Sequence, residues 1–137
     1  MKNVILGLAL LFGGYVAGQD LNLSIKVAGI TSEKGNILYT VFSDKVGFPS
    51  NVDKAVHRGL VPIKNGVADI RLQLPTGEYA IMVFHDEDGN NELKTNWFGM
   101  PKEGVGNSNN HKGIPSYNKS VFTLSEDKSI VIDLWYM

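Results

Sequence analysis

The alternation of apolar and polar positions predicts that most of the chain after residue 18 forms β-strands. Residues 21–28 and 68–74 alternate apolar with polar or small side chains. This period of two is typical of a strand that buries one face. Residues 35–43 are apolar on both faces, which favours a central strand. Apolar runs at 60–63, 79–85, 121–124 and 130–136 complete a set of seven predicted strands.

Turn signals divide these runs. Asn65-Gly66 lies between the runs 60–63 and 67–74, and it predicts a hairpin because both central residues of the favoured turn need positive φ. Pro62 lacks a backbone N–H, so it predicts that the first of these strands is an edge. The sequence therefore predicts a tight turn between these two strands and an edge position for the first of them.

A short helix is predicted between two of the strands. Ser50 followed three residues later by Asp53 resembles a capping box, and Gly59 is a suitable residue after a helix end. These signals predict a two-turn helix over residues 51–58. Seven short strands, one short helix and a long ordered loop indicate an all-β fold, namely a seven-stranded antiparallel β-sandwich.

The amino-acid composition argues against several classes of function. The chain has 137 residues, with 13 Lys and Arg against 14 Asp and Glu. That balance argues against a nucleic-acid partner, which usually needs a basic surface. A hydrophobic content of 43% is enough for one core. The sequence contains no Cys, which excludes disulfides, thiolate metal sites and Cys nucleophiles.

The N-terminus has the pattern of a secretory signal peptide. Lys2 precedes an apolar run over residues 4–16, and small residues follow at 16–18. The run is shorter than the roughly 20 residues of a spanning helix, and no second run of that length follows. We therefore predict a signal peptide at 1–18, a β-sandwich domain at 19–137, no membrane span in the mature chain, and a periplasmic or secreted location.

A long connection separates two of the predicted strands. Residues 86–118 show little strand pattern, and they are rich in acidic residues at the start and in Asn throughout. Connections of this length are uncommon in compact domains and are usually functional or disordered. Asn side chains can bond backbone groups and accept left-handed geometry. We expect the amides to satisfy the backbone of this connection.

Several short motifs together resemble a known bacterial family. They are the turn Leu-Pro-Thr-Gly-Glu-Tyr at 74–79, His-Asp-x-x-Gly-Asn at 85–90, Gly-x-Pro-x-Glu at 99–103 and Ser-Asn-Asn at 108–110. The sequence resembles the family called domain of unknown function 2141 over essentially the whole predicted mature chain. This resemblance implies an exported small β-sandwich with no established biochemical role. The turn at 74–79 is also similar to transthyretin-like and carboxypeptidase regulatory-like domains, which implies a transthyretin/immunoglobulin-like sandwich.

The start of the long connection carries a candidate cation site. Asp86, Asp88, Asn90 and Glu92 place oxygen atoms at alternate positions, and Ca²⁺ prefers six to eight oxygen ligands. The EF-hand pattern is not met, because Gly89 falls at its fourth position instead of its sixth. The alternative is a turn in which Asp and Asn cap their own backbone. Calcium is accordingly the single cofactor considered, and otherwise none is expected.

The sequence allows two roles for His85. Beside Asp86 and Glu103 it could act as a general base in a hydrolase. Alternatively it is a partly buried ring that bonds a loop carbonyl or Glu103 and fastens the long connection. The sequence leaves both open.

The favoured function is a non-enzymatic, exported binding or accessory module of the bacterial envelope. Its partner would be an unknown envelope protein or a small ligand, and the oligomeric state is left open. One alternative is a calcium-stabilised adhesion-type module that uses the acidic loop at 86–92. The other is the hydrolase centred on His85, Asp86 and Glu103. The candidate ligand-binding residues are His85, Trp97, Glu103, Ser108 and Asn109.

Overall fold

The computed structural model describes residues 19–89 and 103–136. Within these residues the chain forms eight strands in two sheets. In chain order they are β1 (Leu21–Ala28), β2 (Asn36–Phe42), β3 (His57–Pro62), β4 (Ala68–Leu74), β5 (Gly77–Asp86), β6 (Val105–Asn107), β7 (Phe122–Leu124) and β8 (Lys128–Asp133). The all-β prediction is confirmed. The predicted count of seven strands was wrong, because three residues of the long connection form β6.

The two sheets differ in size. The smaller sheet has the order β4-β1-β8. The larger sheet has the order β3-β2-β5-β6, and β7 pairs with another part of β5. The prediction of a wholly antiparallel fold was wrong, since β1 and β8 run parallel. The chain crosses from β7 in the larger sheet to β8 in the smaller one, and it arrives beside β1 in the same direction.

One hydrophobic core is shared by both sheets. It combines the inward residues of β1 and β4 with those of β2 and β5, and Ile132 of β8 lies within it. Strands β2 and β5 are buried on both faces. On their second face Leu38, Met82 and Phe84 pack with Phe48 and Trp135. The predicted central position of residues 35–43 is confirmed, because β2 lies between β3 and β5.

The Asn-Gly turn is present, but it does not close a hairpin within one sheet. Asn65 and Gly66 have φ of 54° and 77°, and Lys64 and Val67 exchange backbone hydrogen bonds of 2.8 and 3.1 Å. The strands on either side belong to different sheets, so the turn carries the chain from β3 across to β4. Strand β3 is an edge strand, as Pro62 predicted.

The predicted helix over residues 51–58 was wrong. A single 3-10 turn spans Val52–Lys54, and Asn51, instead of Ser50, caps it by accepting a hydrogen bond from the Asp53 N–H. Ala55 is already extended, with φ −71° and ψ 143°, and β3 begins two residues later. Gly59 therefore lies inside a strand. The α-helix found in the described part of the chain is α1 (Tyr117–Ser120).

Part of the predicted organisation falls outside the described residues. The predicted signal peptide at 1–18 and the stretch 90–102 of the long connection lie there. The domain assignment of 19–137 stays a prediction. Over 19–89 and 103–136, none of the helices has the length and apolarity needed to cross a membrane.

The two faces of β8 give a test of the shared core. Ile132 is fully buried, whereas its neighbour Val131 is 49% exposed. We expect Ile132→Ala to lower the free energy of unfolding by about 2–5 kcal/mol, because it leaves a cavity. Val131→Ala should change it by less than about 0.5 kcal/mol. Urea unfolding of both variants measures this, and equal losses would contradict the assigned faces.

Candidate functional site

Three carboxylates converge at the end of β5. Asp86, Asp88 and Glu103 each place one carboxylate oxygen within 4.8 Å of the others, and we call these three residues the acidic cluster. Asp86 is the last residue of β5, and Asp88 follows in the next turn. Glu103 joins them because β6 pairs antiparallel with β5, with Val105 opposite Phe84. Strand pairing therefore brings together acids that are distant in sequence.

The acidic cluster extends from the interior to the surface. Asp86 is only 2% exposed, Glu103 is half-buried and Asp88 is exposed. Carboxylates that lie this close repel one another when all are ionised, and an opposite charge relieves that repulsion. The arrangement has the chemistry of a site for a cation that is open on one side.

His85 lies behind the acidic cluster and is fully buried. Its Nε2 is 2.7 Å from the Lys34 carbonyl oxygen, and its Nδ1 is 2.8 Å from the Tyr136 hydroxyl. A carbonyl can only accept, so Nε2 carries the hydrogen. In the neutral ring Nδ1 then accepts from Tyr136, whose oxygen in turn accepts the Thr31 N–H at 3.2 Å. We call His85, Tyr136, Lys34 and Thr31 the histidine clasp.

The histidine clasp joins three distant parts of the chain. It connects the end of β5 to the β1–β2 connection and to the residues after β8. This agrees with the reading of His85 as a ring that bonds a loop carbonyl. The carbonyl belongs to Lys34 in the β1–β2 connection, however, and not to the long connection. Glu87 lies nearby, with its Oε1 3.7 Å from Nδ1.

Two glycines allow the backbone to close around this site. The His85 N–H donates to the Gly104 carbonyl at 2.9 Å, and a Cβ on Gly104 would lie 2.5 Å from the Tyr136 ring. Gly35 has φ of +72°, and a Cβ there would overlap the Asp86 carbonyl. Neither glycine, nor Tyr136, was predicted as a site residue from the sequence. Lys34 and Tyr136 are each 51 residues from His85, so no local pattern could have linked them.

Ser108 and Asn109 lie beside the middle of β5, away from the acidic cluster at the end of that strand. Ser108 Oγ accepts the Ile81 N–H at 3.1 Å and donates to the Ser120 carbonyl. The Asn109 amide donates to the carbonyls of Lys119 and Val121 at 3.1 and 2.9 Å. Both side chains thus bond backbone within the protein. Their partners belong to β5 and to residues 119–121, outside the long connection. Within that connection the expectation is met by Asn107, whose side chain bonds the backbone of Asn109 and His111.

The remaining predicted site residues are not placed. Asn90 and Glu92 of the predicted calcium set and Trp97 of the predicted binding set lie outside the described residues. The structure therefore brings together Asp86, Asp88 and Glu103, with His85 behind them. Ser108 and Asn109, which follow β6, lie apart from this group.

Together, the fold and the acidic cluster define a two-sheet β domain with carboxylates gathered where one central strand ends. The chain belongs to the family described as "Uncharacterized protein conserved in bacteria (DUF2141)", whose profile matches residues 25–132. The resemblance found in the sequence is confirmed. No curated protein matches the chain.

A solved structure shows a distant similarity. It is the crystal structure of a fimbrial assembly protein from Parabacteroides distasonis, with a TM-score of 0.42 and 13% sequence identity. The match covers 85% of this chain and 52% of that protein. The chain thus spans about half the length of this structural neighbour.

The clasp gives a second testable prediction. Tyr136→Phe removes the hydroxyl that donates to the buried Nδ1 of His85, which should cost about 1–3 kcal/mol of unfolding free energy. Tyr117→Phe is the matched control, because its ring packs on Phe48 and its hydroxyl has no hydrogen bond to the described residues. Urea unfolding compares the two. If Tyr136→Phe is as stable as its control, the clasp does not hold this end of β5.

Proposed function

We propose that this chain is a non-enzymatic binding or accessory module that is exported to the bacterial envelope, with a sandwich of the transthyretin/immunoglobulin-like kind. The proposal is supported by the membership in a bacterial family and by the signal-peptide pattern at residues 1–18. One observation supports the proposal that the module is not an enzyme. His85, the histidine beside the acidic cluster, uses both ring nitrogens in internal hydrogen bonds.

The position of His85 favours a binding role over hydrolysis. A general base must come within about 2.6–3.2 Å of the proton that it removes from a substrate or water. His85 is fully buried, and one nitrogen donates to a carbonyl while the other accepts from Tyr136. To act as a base, the ring would have to break the clasp that fastens β5. Its bonding therefore supports a structural role behind a surface site.

Export gives the direct test of this proposal. The full chain with a C-terminal tag would be expressed in a bacterium, and its location and intact mass measured after cell fractionation. We expect the protein outside the cytoplasm with a mass that lacks residues 1–18. The control is Leu10→Arg, which interrupts the apolar run and should block export. Full-length protein that stays in the cytoplasm would contradict the proposal.

The non-enzymatic part is tested on the purified mature chain. It would be assayed against chromogenic esters, phosphate esters and glycosides, beside His85→Gln. We expect no turnover above the uncatalysed rate with either protein. Turnover that disappears in a folded His85→Gln variant would overturn the proposal in favour of a hydrolase.

The acidic cluster favours a second candidate function, a calcium-stabilised adhesion-type module. Two oxygens that bind one Ca²⁺ at 2.3–2.6 Å lie at most about 5 Å apart. The cluster oxygens are within 4.8 Å of one another, which suits a shared ion. Three carboxylates offer up to six oxygens, and backbone carbonyls or water can complete the six to eight that calcium takes. Asp86, Asp88 and Glu103 would hold it.

Calcium titration gives the corresponding prediction. We expect Ca²⁺ to bind in calorimetry and to raise the melting temperature, since a ligand at 100 times its Kd adds about 2.7 kcal/mol. Asp88→Asn and Glu103→Gln should each weaken binding at least about tenfold, because each removes a charge next to the ion. Glu126→Gln, in the β7–β8 turn, is the matched control. Absence of both heat and thermal shift at millimolar Ca²⁺ would reject this function.

A further inference from the structure

The two edges of the smaller sheet differ in how far they are covered. Along β8 the Asn110 side chain bonds the Val131 carbonyl and the Asp133 N–H, so it occupies part of that edge. The other edge is β4, whose seven residues alternate between buried and exposed and include no Pro or Gly. Strand β3, at the edge of the larger sheet, ends in Pro62, which cannot donate a ladder hydrogen bond. Of these edges, β4 is therefore the best suited to accept another strand.

The hydrogen bonds of β1 show which backbone groups of β4 point toward its free edge. The Asn22 N–H donates to Asp127 Oδ1 at 2.8 Å, and the Ala28 carbonyl accepts from the Leu134 N–H at 2.9 Å. Asp127 and Leu134 flank β8, so the even-numbered residues of β1 direct their backbone groups toward β8. The odd-numbered residues of β1 then bond β4, where they lie opposite its even-numbered residues. The groups that face the free edge belong to Asp69, Arg71 and Gln73.

The turn before β4 agrees with this assignment. Val67 is the next odd-numbered residue toward the N-terminus, and it exchanges both backbone hydrogen bonds with Lys64, away from β1. Over 19–89 and 103–136, the backbone groups of Asp69, Arg71 and Gln73 have no hydrogen-bond partner in the protein. Such a row of backbone donors and acceptors is the template on which a further strand is added.

The exposed side chains of β4 carry opposite charges two residues apart. Asp69 and Arg71 are both exposed, and neither forms a salt bridge within the described part of the chain. Lys26 lies opposite Asp69 on β1, and Ser24 lies opposite Arg71. Like charges directly opposite each other destabilise a strand pair. This edge therefore rejects most added strands and favours one that brings a base beside Asp69 and an acid beside Arg71.

A second copy of β4 meets this requirement in one antiparallel register. When the two-fold axis passes through Ile70, Asp69 lies opposite the partner's Arg71, and symmetry repeats the pair. Both residues direct their backbone groups outward, so each pair also exchanges two backbone hydrogen bonds. An axis through Arg71 would place two arginines opposite each other. An axis through Leu72 would place Arg71 opposite Gln73 and form no ion pair.

We propose that β4 pairs with β4 of a second copy of this chain about Ile70, which joins two smaller sheets into one continuous sheet. This interaction surface does not depend on the proposed function or on the acidic cluster. A single strand pair falls at the small end of protein interfaces, below about 1,200 Å². The dimer is therefore reversible, with a Kd between about 10 μM and 1 mM. Salt weakens it, because exposed ion pairs are screened.

Charge reversal tests the register, with sedimentation of the mature protein at up to about 1 mM. Asp69→Arg and Arg71→Asp should each weaken self-association at least about tenfold, because each variant places like charges opposite each other twice. An equimolar mixture of the two should form a heterodimer, since the charges match again. Glu126→Arg and Lys128→Asp change the net charge equally outside β4 and should dimerise like the unchanged protein. Melting temperatures check that each variant is folded.

Amide hydrogen exchange gives a second measure of the register. In the proposed dimer the N–H groups of Asp69 and Arg71 are bonded, whereas Gln73 lies opposite Val67, whose backbone groups are held by Lys64. Exchange measured by NMR at low and high protein concentration should slow at least about fivefold at Asp69 and Arg71. The Gln73 amide should exchange at the same rate at both concentrations.

Four results would overturn the proposal. They are unchanged protein that stays monomeric at about 1 mM, and a mixture of Asp69→Arg with Arg71→Asp that associates no better than either variant alone. The third is protection of the Gln73 amide together with the others, which belongs to the register with opposed arginines. The fourth is equal weakening by the control reversals, which indicates general electrostatic attraction. A heterodimer in the mixture, with protection confined to Asp69 and Arg71, supports the proposal.

Discussion

The burial of β5 on both faces constrains the rest of the structure. From Tyr79 to Asp86 every residue of this strand is buried, which is uncommon for a strand that ends in His and Asp. Burying such polar groups costs free energy unless they are hydrogen-bonded. The histidine clasp meets this requirement for His85, because both ring nitrogens have partners. The central strand can therefore continue to the edge of the core and present carboxylates there.

The parts of the fold that could be predicted are those that depend on residues close together in sequence. Alternation identified β1 and β4, because each buries one face and the period is local. The Asn-Gly turn was found for the same reason, since positive φ at Asn65 and Gly66 depends on two residues alone. Its sheet assignment was wrong, because membership of a sheet depends on pairing with strands far away in sequence. Strand β6 was missed, since its three residues, Val-Gly-Asn, have no strand pattern of their own.

The candidate site could be predicted only in part. Asp86 and Asp88 are neighbours in sequence, so their proximity follows from a turn. Glu103 reaches them because Val105 pairs with Phe84, which alternation does not encode. The two glycines that let the backbone close around the site could not be predicted from the sequence for a further reason. Gly35 and Gly104 are defined by what would clash with a Cβ, and a single sequence does not show what lies opposite a glycine.

The difference between the two sides of the domain follows from how an edge strand is protected. On one side, where Val105 and Trp135 join the sheets through two backbone hydrogen bonds, the Asn110 side chain takes the place of a neighbouring strand for part of β8. On the other side β3 and β4 are the edge strands. Protection there comes instead from Pro62 on β3 and from charged residues such as Arg71 on β4, which discourage pairing with another chain of unmatched charge. Both sides therefore avoid an unprotected sheet edge, one through side-chain hydrogen bonds that replace a strand and the other through residues that disfavour the addition of an unmatched strand.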